Sequence, residues 1–119
     1  MRIRIEQGRQ IYLPIAHGEG KVVTTSDSEL KELQGSSFVV FKYVDKDGNE
    51  DGCPVNPNGS TDLNAGLTDS TGRIMGMMPH PERFVRATQH PHWTRLKNRG
   101  EGDGMGIFRN AVDYINKNL

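Results

Sequence analysis

Hydrophobic residues along the chain fall in short clusters that are separated by polar, glycine-containing segments. The clearest β pattern is Phe38–Val44, where β-branched and aromatic residues predict a well-buried strand. Residues 66–68 and 73–78 predict two further short strands joined by a turn. Residues 10–16 also predict a buried strand, which Pro14 restricts to an edge position or a strand end. The pattern therefore indicates a sheet built from short strands.

Polar signals predict a first helix between these clusters. Ser26 is followed three residues later by Glu29, which is the spacing of a capping box. We expect a short helix over 27–34 that ends at Gly35, because glycine readily adopts the backbone conformation that terminates helices.

A second helix is predicted at the end of the sequence, over residues 105–119, with Asp103 as its N-cap. Its apolar residues recur at helical spacing, and we interpret this stripe as packing against a core. The stripe consists of Ile107, Phe108, Ala111, Val112 and Ile115. Between the last strand and this helix, residues 84–104 are polar and predict a long surface loop.

Residues 45–49 combine alternating carboxylates with Asp47-Gly48, which is a hairpin signal. A calcium loop would need glycine where Glu50 stands and a bidentate glutamate where Asn56 stands. The segment therefore predicts a turn and no calcium site.

Length and charge limit the range of functions. The 119 residues form one domain at most, so residues 1–119 are treated as a single unit. The 15 basic and 15 acidic residues cancel and are spread along the chain, so nucleic acid is not an expected partner. The sequence contains no apolar stretch that could span a membrane, and the single cysteine is typical of a reducing compartment. We expect a soluble, cytoplasmic protein without a membrane partner.

Candidate chemistry is concentrated in Pro79-His80-Pro81-Glu82-Arg83. Each proline biases the preceding residue toward extended backbone, and alternate residues of an extended chain project to the same side. His80 can therefore contact Glu82, and a carboxylate on one imidazole nitrogen leaves the other available as a base. A proline-rich loop with two solvated side chains is the alternative that spacing alone leaves open.

A nucleophile is not evident. The one cysteine, Cys53, is followed by Pro54 and turn-forming residues, which do not form the strand-to-helix elbow of an activated nucleophile. We interpret Cys53 as a loop residue. It could join His80, His90 and His92 as a zinc ligand, but no paired ligand spacing supports this, and we predict no metal site.

Four motifs follow one another in a fixed order along the chain. They are residues 13–20 (LPIAHGEG), 56–60 (NPNGS), 76–83 (GMMPHPER), and Asp103-Gly104 followed by 107–111 (IFRNA). In this order they resemble the glutaminase part of phosphoribosylformylglycinamidine synthase. The resemblance covers nearly the whole chain and implies an α/β fold: the C-terminal part of a class I glutamine amidotransferase, a flavodoxin-like sandwich with short strands, a hairpin and a C-terminal helix.

The resemblance also implies an activity in purine biosynthesis, glutamine hydrolysis that supplies ammonia to a synthetase. There, ATP-dependent chemistry converts formylglycinamide ribonucleotide to its amidine. His80 would be the general base of a Cys-His-Glu triad and Glu82 its orienting partner. A loop of His17, Gly18 and Glu19 would line the L-glutamine pocket, and Asn58, Gly59 and Ser60 would lie at its rim or at an interface.

The family carries its nucleophilic cysteine in a half that precedes the His-Gly-Glu-Gly loop, and the 119 residues lack that half. We therefore expect the C-terminal portion of the module, inactive alone, with the N-terminal half and the synthetase as partners. No cofactor is expected in this chain, since ATP and Mg²⁺ would bind the synthetase. A non-catalytic, synthetase-binding subunit is the alternative. Uncovered apolar surface and sheet edges also predict a possible homodimer.

Overall fold

A computed structural model describes residues 8–16, 18–50, 55–97 and 100–119. These residues form two compact units. The terminal unit comprises the described residues of Met1–Ile15 and Pro79–Leu119, and the central unit those of Ala16–Met78. Within the described ranges, no helix is both long and apolar enough to cross a bilayer.

The central unit contains a three-stranded antiparallel sheet of β1 (Val39–Lys42), β2 (Asn64–Thr68) and β3 (Met75–Met77), in that order. The α/β class and the short strands are therefore confirmed. Burial is greatest at residues 64–66 on β2, because the middle strand is paired along both edges. The prediction of a well-buried strand over Phe38–Val44 is wrong in length and burial, since the register of β1 shifts twice and its residues are half-buried.

The first helix, α1, spans Asp27–Gly35 and confirms the prediction to within one residue. Ser26 Oγ accepts a hydrogen bond from Glu29 N–H at 3.2 Å. The Glu29 carboxylate reaches past Ser26 and accepts instead from the N–H and the hydroxyl of Thr25, at 2.6 and 2.7 Å. These bonds lower the pKa of Glu29, with the Thr25 N–H as the largest cause. The helix start is thus closed by local bonds alone.

Two turns of the central unit are organised by aspartates. Asp45 Oδ1 accepts from the N–H groups of Asp47 and Asn49, both at 2.8 Å, and Gly48 adopts φ +87°. The turn is therefore confirmed, and Asp45 N–H donates to the Asn49 carbonyl across it at 2.9 Å. Among the described residues, the strand partner of β1 is β2. Asp69 closes the second turn, which does form the predicted hairpin between β2 and β3.

The terminal unit contains two 3₁₀ turns, Pro81–Arg83 and Ala87–Gln89, and the helix α2, Met105–Asn118. Among the described residues of this unit, the buried apolar side chains are Phe84 and Ile107. The prediction of a polar surface loop over 84–104 is wrong at both ends, because Phe84 is in the core and Gly102 and Gly104 are buried.

Residues 10–16 form no strand, contrary to the prediction. Their backbone groups bond to non-strand partners: Tyr12 N–H donates to Asp103 Oδ2 at 2.8 Å, and the Pro14 carbonyl accepts from His80 N–H at 2.8 Å. A strand needs a ladder of bonds to a neighbour. The bonds of Tyr12 and Pro14 instead go to two separate places, so the extended sequence pattern does not become a strand.

Two predictions about α2 are also wrong. Gly104, rather than Asp103, occupies the N-cap position, and the Asp103 carboxylate bonds to Tyr12 instead of the helix. The apolar stripe is only partly core, since Ile107 is 5% exposed whereas Phe108, Val112 and Ile115 are 43%, 56% and 51% exposed. Periodicity identified the helix correctly but could not say what covers its second apolar face.

Candidate active site

The Pro79–Arg83 segment presents His80 at the start of a 3₁₀ turn. His80 is extended, with φ −101° and ψ 93°, and Pro81 follows it as the first residue of the turn. A proline disfavours helical backbone at the preceding residue and fits the first position of a helical turn, where no N–H donor is needed. Arg83 N–H donates to the His80 carbonyl at 3.2 Å and closes the turn.

The predicted contact between His80 and Glu82 is present. His80 Nδ1 lies 2.7 Å from Glu82 Oε1. We expected this contact to arise because both residues project to the same side of an extended chain. Glu82 lies instead inside the 3₁₀ turn that His80 caps. The turn folds the carboxylate back toward the imidazole, so the prediction is right in its outcome and wrong in its geometry.

Electrostatics define the proton positions of this pair. The pKa of Glu82 is lowered, first by a hydrogen bond from its own backbone N–H, then by the bond to His80. An ionised carboxylate only accepts, so a neutral His80 carries its hydrogen on Nδ1 and keeps a lone pair on Nε2. The His80 side chain is 29% exposed. The pair can therefore remove a proton from a nucleophile placed at Nε2.

Sequence reasoning missed the residues that hold this turn. The His80 N–H is bonded to Pro14, as described above, and Gly104 N–H donates to the Phe84 carbonyl at 2.9 Å. A Cβ atom on Gly104 would overlap the Pro81 carbonyl oxygen, and one on Gly102 would overlap the carbonyl oxygen of Phe84. The Gly-Asp-Gly spacing at 102–104 was the available signal, because paired glycines permit close backbone approach.

The predicted glutamine loop lies in the central unit, so it belongs to a different unit from the His80–Glu82 pair. His17 is outside the described residues, and Gly18 and Glu19 are exposed. Gly20 follows with φ +106°, and a Cβ atom there would overlap the sulfur of Met78. The end of this loop is therefore restricted to glycine.

The predicted rim, Asn58, Gly59 and Ser60, is linked to the same loop. Ser60 is 3% exposed, and its Oγ accepts from Val22 N–H at 3.1 Å while donating to Asn58 Oδ1 at 2.8 Å. The Asn58 Nδ2 is buried and has no hydrogen-bond partner among the described residues. Ser60 thus joins two segments of the central unit, and the rim or interface role of Asn58, Gly59 and Ser60 stays a prediction.

Cys53, which we interpreted as a loop residue, lies in 51–54, outside the described residues. The suggested zinc ligands His90 and His92 are in contact with one another, with ring centroids 5.9 Å apart. Across ranges 8–16, 18–50, 55–97 and 100–119, no group of three or more His, Cys, Asp or Glu side chains is arranged to hold a metal ion.

A small cavity of about 160 Å³ lies within the terminal unit. Tyr12, Phe84 and His90 form its aromatic wall, and the Tyr12 and His90 ring centroids are 4.5 Å apart. Neither His80 nor Glu82 lines it. The cavity is therefore separate from the candidate catalytic pair.

Comparison with known proteins finds the same kind of protein that the four motifs resemble. The family described as the CobB/CobQ-like glutamine amidotransferase domain matches residues 2–115. A phosphoribosylformylglycinamidine synthase subunit PurQ from Dehalococcoides mccartyi is 46% identical over 106 residues, covering 88% of this chain and 40% of the relative. The subunit from Archaeoglobus fulgidus is 43% identical over 110 residues (90% and 39%), and that from Methanosarcina barkeri is 36% identical over 116 residues (98% and 45%).

The chain spans about two fifths of the length of these relatives. The family match, by contrast, covers nearly all of its residues, including both His80 and Glu82. The chain therefore belongs to the family of CobB/CobQ-like glutamine amidotransferase domains.

Proposed function

We propose that this chain contributes the base and its orienting carboxylate to the glutaminase component of phosphoribosylformylglycinamidine synthase. The single observation that carries the proposal is the 2.7 Å contact between His80 Nδ1 and Glu82 Oε1. The identity with PurQ subunits supports this choice among glutamine-hydrolysing systems.

In the proposed reaction, His80 Nε2 takes the proton of a cysteine thiol as the sulfur attacks the side-chain carbonyl carbon of L-glutamine. The tetrahedral intermediate collapses to a thioester when His80 returns the proton to the leaving nitrogen, which departs as ammonia. Water, deprotonated by His80, then cleaves the thioester to glutamate and regenerates the thiol. Glu82 holds Nδ1–H throughout and stabilises the imidazolium that forms twice in the cycle.

The nucleophile in this proposal is a cysteine of the N-terminal half of the module, not Cys53. The relatives are about two and a half times as long as the region that they share with this chain, which leaves room for such a half. The ammonia would pass to a synthetase subunit that binds ATP and Mg²⁺, and this chain itself would hold no cofactor. We also propose that the chain is located in the cytoplasm, which the single cysteine indicates.

We further propose that another polypeptide covers the second apolar face of α2. Phe108, Val112 and Ile115 are separated by four and three residues and so lie along one side of the helix, each between 43% and 56% exposed. Such a continuous apolar stripe marks an interaction surface. The N-terminal half would cover it in the assembled module, and a second copy of this chain would cover it in the isolated protein, giving the homodimer.

The experiment is glutamine hydrolysis by the purified chain, alone and after mixing with an N-terminal half that carries the elbow cysteine. We expect no glutamate from either part alone, and glutamate from the mixture. His80→Ala should abolish the restored activity, and Glu82→Gln should reduce it by roughly 10²–10⁴-fold, the range for general acid–base catalysis. Cys53→Ala is the matched control and should leave it unchanged. Hydrolysis by the chain alone that is lost in Cys53→Ala would refute the assignment of the nucleophile.

A further inference from the structure

The backbone of His80 has an anchor that the triad chemistry does not include. Its N–H donates to the carbonyl of Pro14 at 2.8 Å. Pro14 belongs to the segment 10–16, which has no strand ladder to hold it in place. The orientation of His80 therefore depends on whatever fixes this segment.

Asp103 holds the segment 10–16 in place through a hydrogen bond to its backbone. Its Oδ2 accepts a hydrogen bond from Tyr12 N–H at 2.8 Å, two residues before Pro14. A bond to an ionised carboxylate is stronger than a bond to a neutral acceptor. The Asp103 carboxylate thus holds the start of the segment whose Pro14 carbonyl holds His80.

Asp103 is itself held against the turn that carries Glu82. We name Gly102, Asp103 and Gly104 the glycine strap. The N–H groups of its two glycines donate to the carbonyls of Val85 and Phe84, at 3.1 and 2.9 Å. Both glycines are buried, and neither leaves room for a side chain on its turn-facing side. The glycine strap therefore contacts the turn Pro81–Arg83 directly. It is also connected to His80 through the hydrogen bonds of Tyr12 and Pro14.

We propose that Asp103 is a positioning residue for the His80–Glu82 pair, acting through the backbone of Tyr12–Pro14. Fixing the His80 backbone from both its N–H and its carbonyl leaves little freedom to the imidazole other than rotation about its own bonds. Removing the Asp103 carboxylate would release Tyr12, loosen Pro14 and allow His80 to leave Glu82. The inference rests on the proposed function for its catalytic meaning, but its structural content stands without it.

The first test is amide hydrogen exchange in the purified 119-residue chain, without glutamine. Asp103→Asn keeps the size and an acceptor oxygen but removes the charge, so the fold should survive. We expect the exchange of both the Tyr12 and the His80 amide to accelerate about fivefold, from the difference between charged and neutral acceptors. Asp113→Asn, an equivalent change on the exposed side of α2, should leave both rates unchanged. Acceleration at Tyr12 but not at His80, or at neither, would overturn the proposal.

The second test reads the imidazole directly. Nitrogen-15 shifts of His80 in its neutral form report how much of the ring carries the proton on Nδ1. Asp103→Ala should reduce that fraction, and Asp103→Asn should retain most of it. A folded Asp103→Ala variant with an unchanged tautomer would refute a positioning role and leave Asp103 as a structural residue only.

The activity assay separates this inference from the proposed function. If the mixed halves hydrolyse glutamine, Asp103→Ala should lower kcat with a smaller effect on KM, because it disturbs the base rather than the glutamine loop. If the exchange and tautomer results hold but the wild-type mixture is inactive, the proposed function fails and the positioning role stands.

Discussion

Gly104→Ala offers the sharpest check of how the terminal unit is packed. Gly104 has helical backbone, φ −65° and ψ −24°, so alanine is not disfavoured there by its own torsions. The new Cβ atom would instead overlap the Pro81 carbonyl oxygen and approach the Phe84 carbonyl oxygen at 2.9 Å. Both obstacles are backbone atoms, one in the 3₁₀ turn Pro81–Arg83 and one in the residue that follows it, and they cannot move aside as a flexible side chain would. The change therefore tests close packing alone.

Overpacking a tight site costs about 1–3 kcal/mol, and a rigid backbone obstacle favours the upper end. At roughly 4 °C per kcal/mol for a chain of this size, Gly104→Ala should lower the melting temperature by about 10 °C. Gly106→Ala is the matched control two residues away, in α2 with open space at its Cβ position. It should stabilise the helix by about 0.5–1 kcal/mol, since glycine is a poor helix former.

Thermal unfolding is monitored by circular dichroism. The His80–Glu82 contact is monitored separately through the nitrogen-15 shifts that report the His80 tautomer. Opposite signs for the two glycine variants are expected. A Gly104→Ala melting temperature within about 2 °C of wild type would mean that the glycine strap is not closely packed against the turn. The positioning role of Asp103 would then lose its support.

The remaining predictions concern the caps, acid stability and self-association. Ser26→Ala should lower the unfolding free energy by about 1 kcal/mol through loss of the α1 cap, whereas Ser37→Ala should not; equal effects would contradict a capping role. The pKa of Asp69 is lowered to about 2, chiefly by the hydroxyl of Thr71 and next by the N–H of Ile74. Because the folded pKa lies below the unfolded value, Asp69 stabilises the fold above about pH 4 and loses this effect as the pH falls toward 2. Asp69→Asn should therefore make the fall in melting temperature between pH 4 and pH 2 less steep, and an unchanged slope in Asp69→Asn would refute the assignment. Val112→Glu should convert a dimer to a monomer in light scattering, and a wild-type chain that is monomeric at high concentration would argue against self-association through α2.

The sequence by itself determined the features that depend on neighbouring residues. Ser26 and Glu29 specified the start of α1 because a cap bonds to N–H groups within the same turn. The β2–β3 hairpin followed from two short apolar runs around a turn that Asp69 closes locally. The proximity of His80 and Glu82 was also local, since the two residues are two positions apart and prolines restrict the backbone between and before them.

The tertiary structure alone decided the features that depend on distant partners. Residues 10–16 have the composition of a strand, but their backbone bonds to Asp103 and His80, so no ladder forms. Asp103 has the signature of a helix cap, yet its carboxylate bonds to Tyr12, 91 residues away along the chain. The α2 stripe identified a helix without showing that half of it faces outward. A sequence pattern fixes which backbone conformations are favourable, whereas hydrogen-bond partners and coverage across long separations are set only when the segments pack.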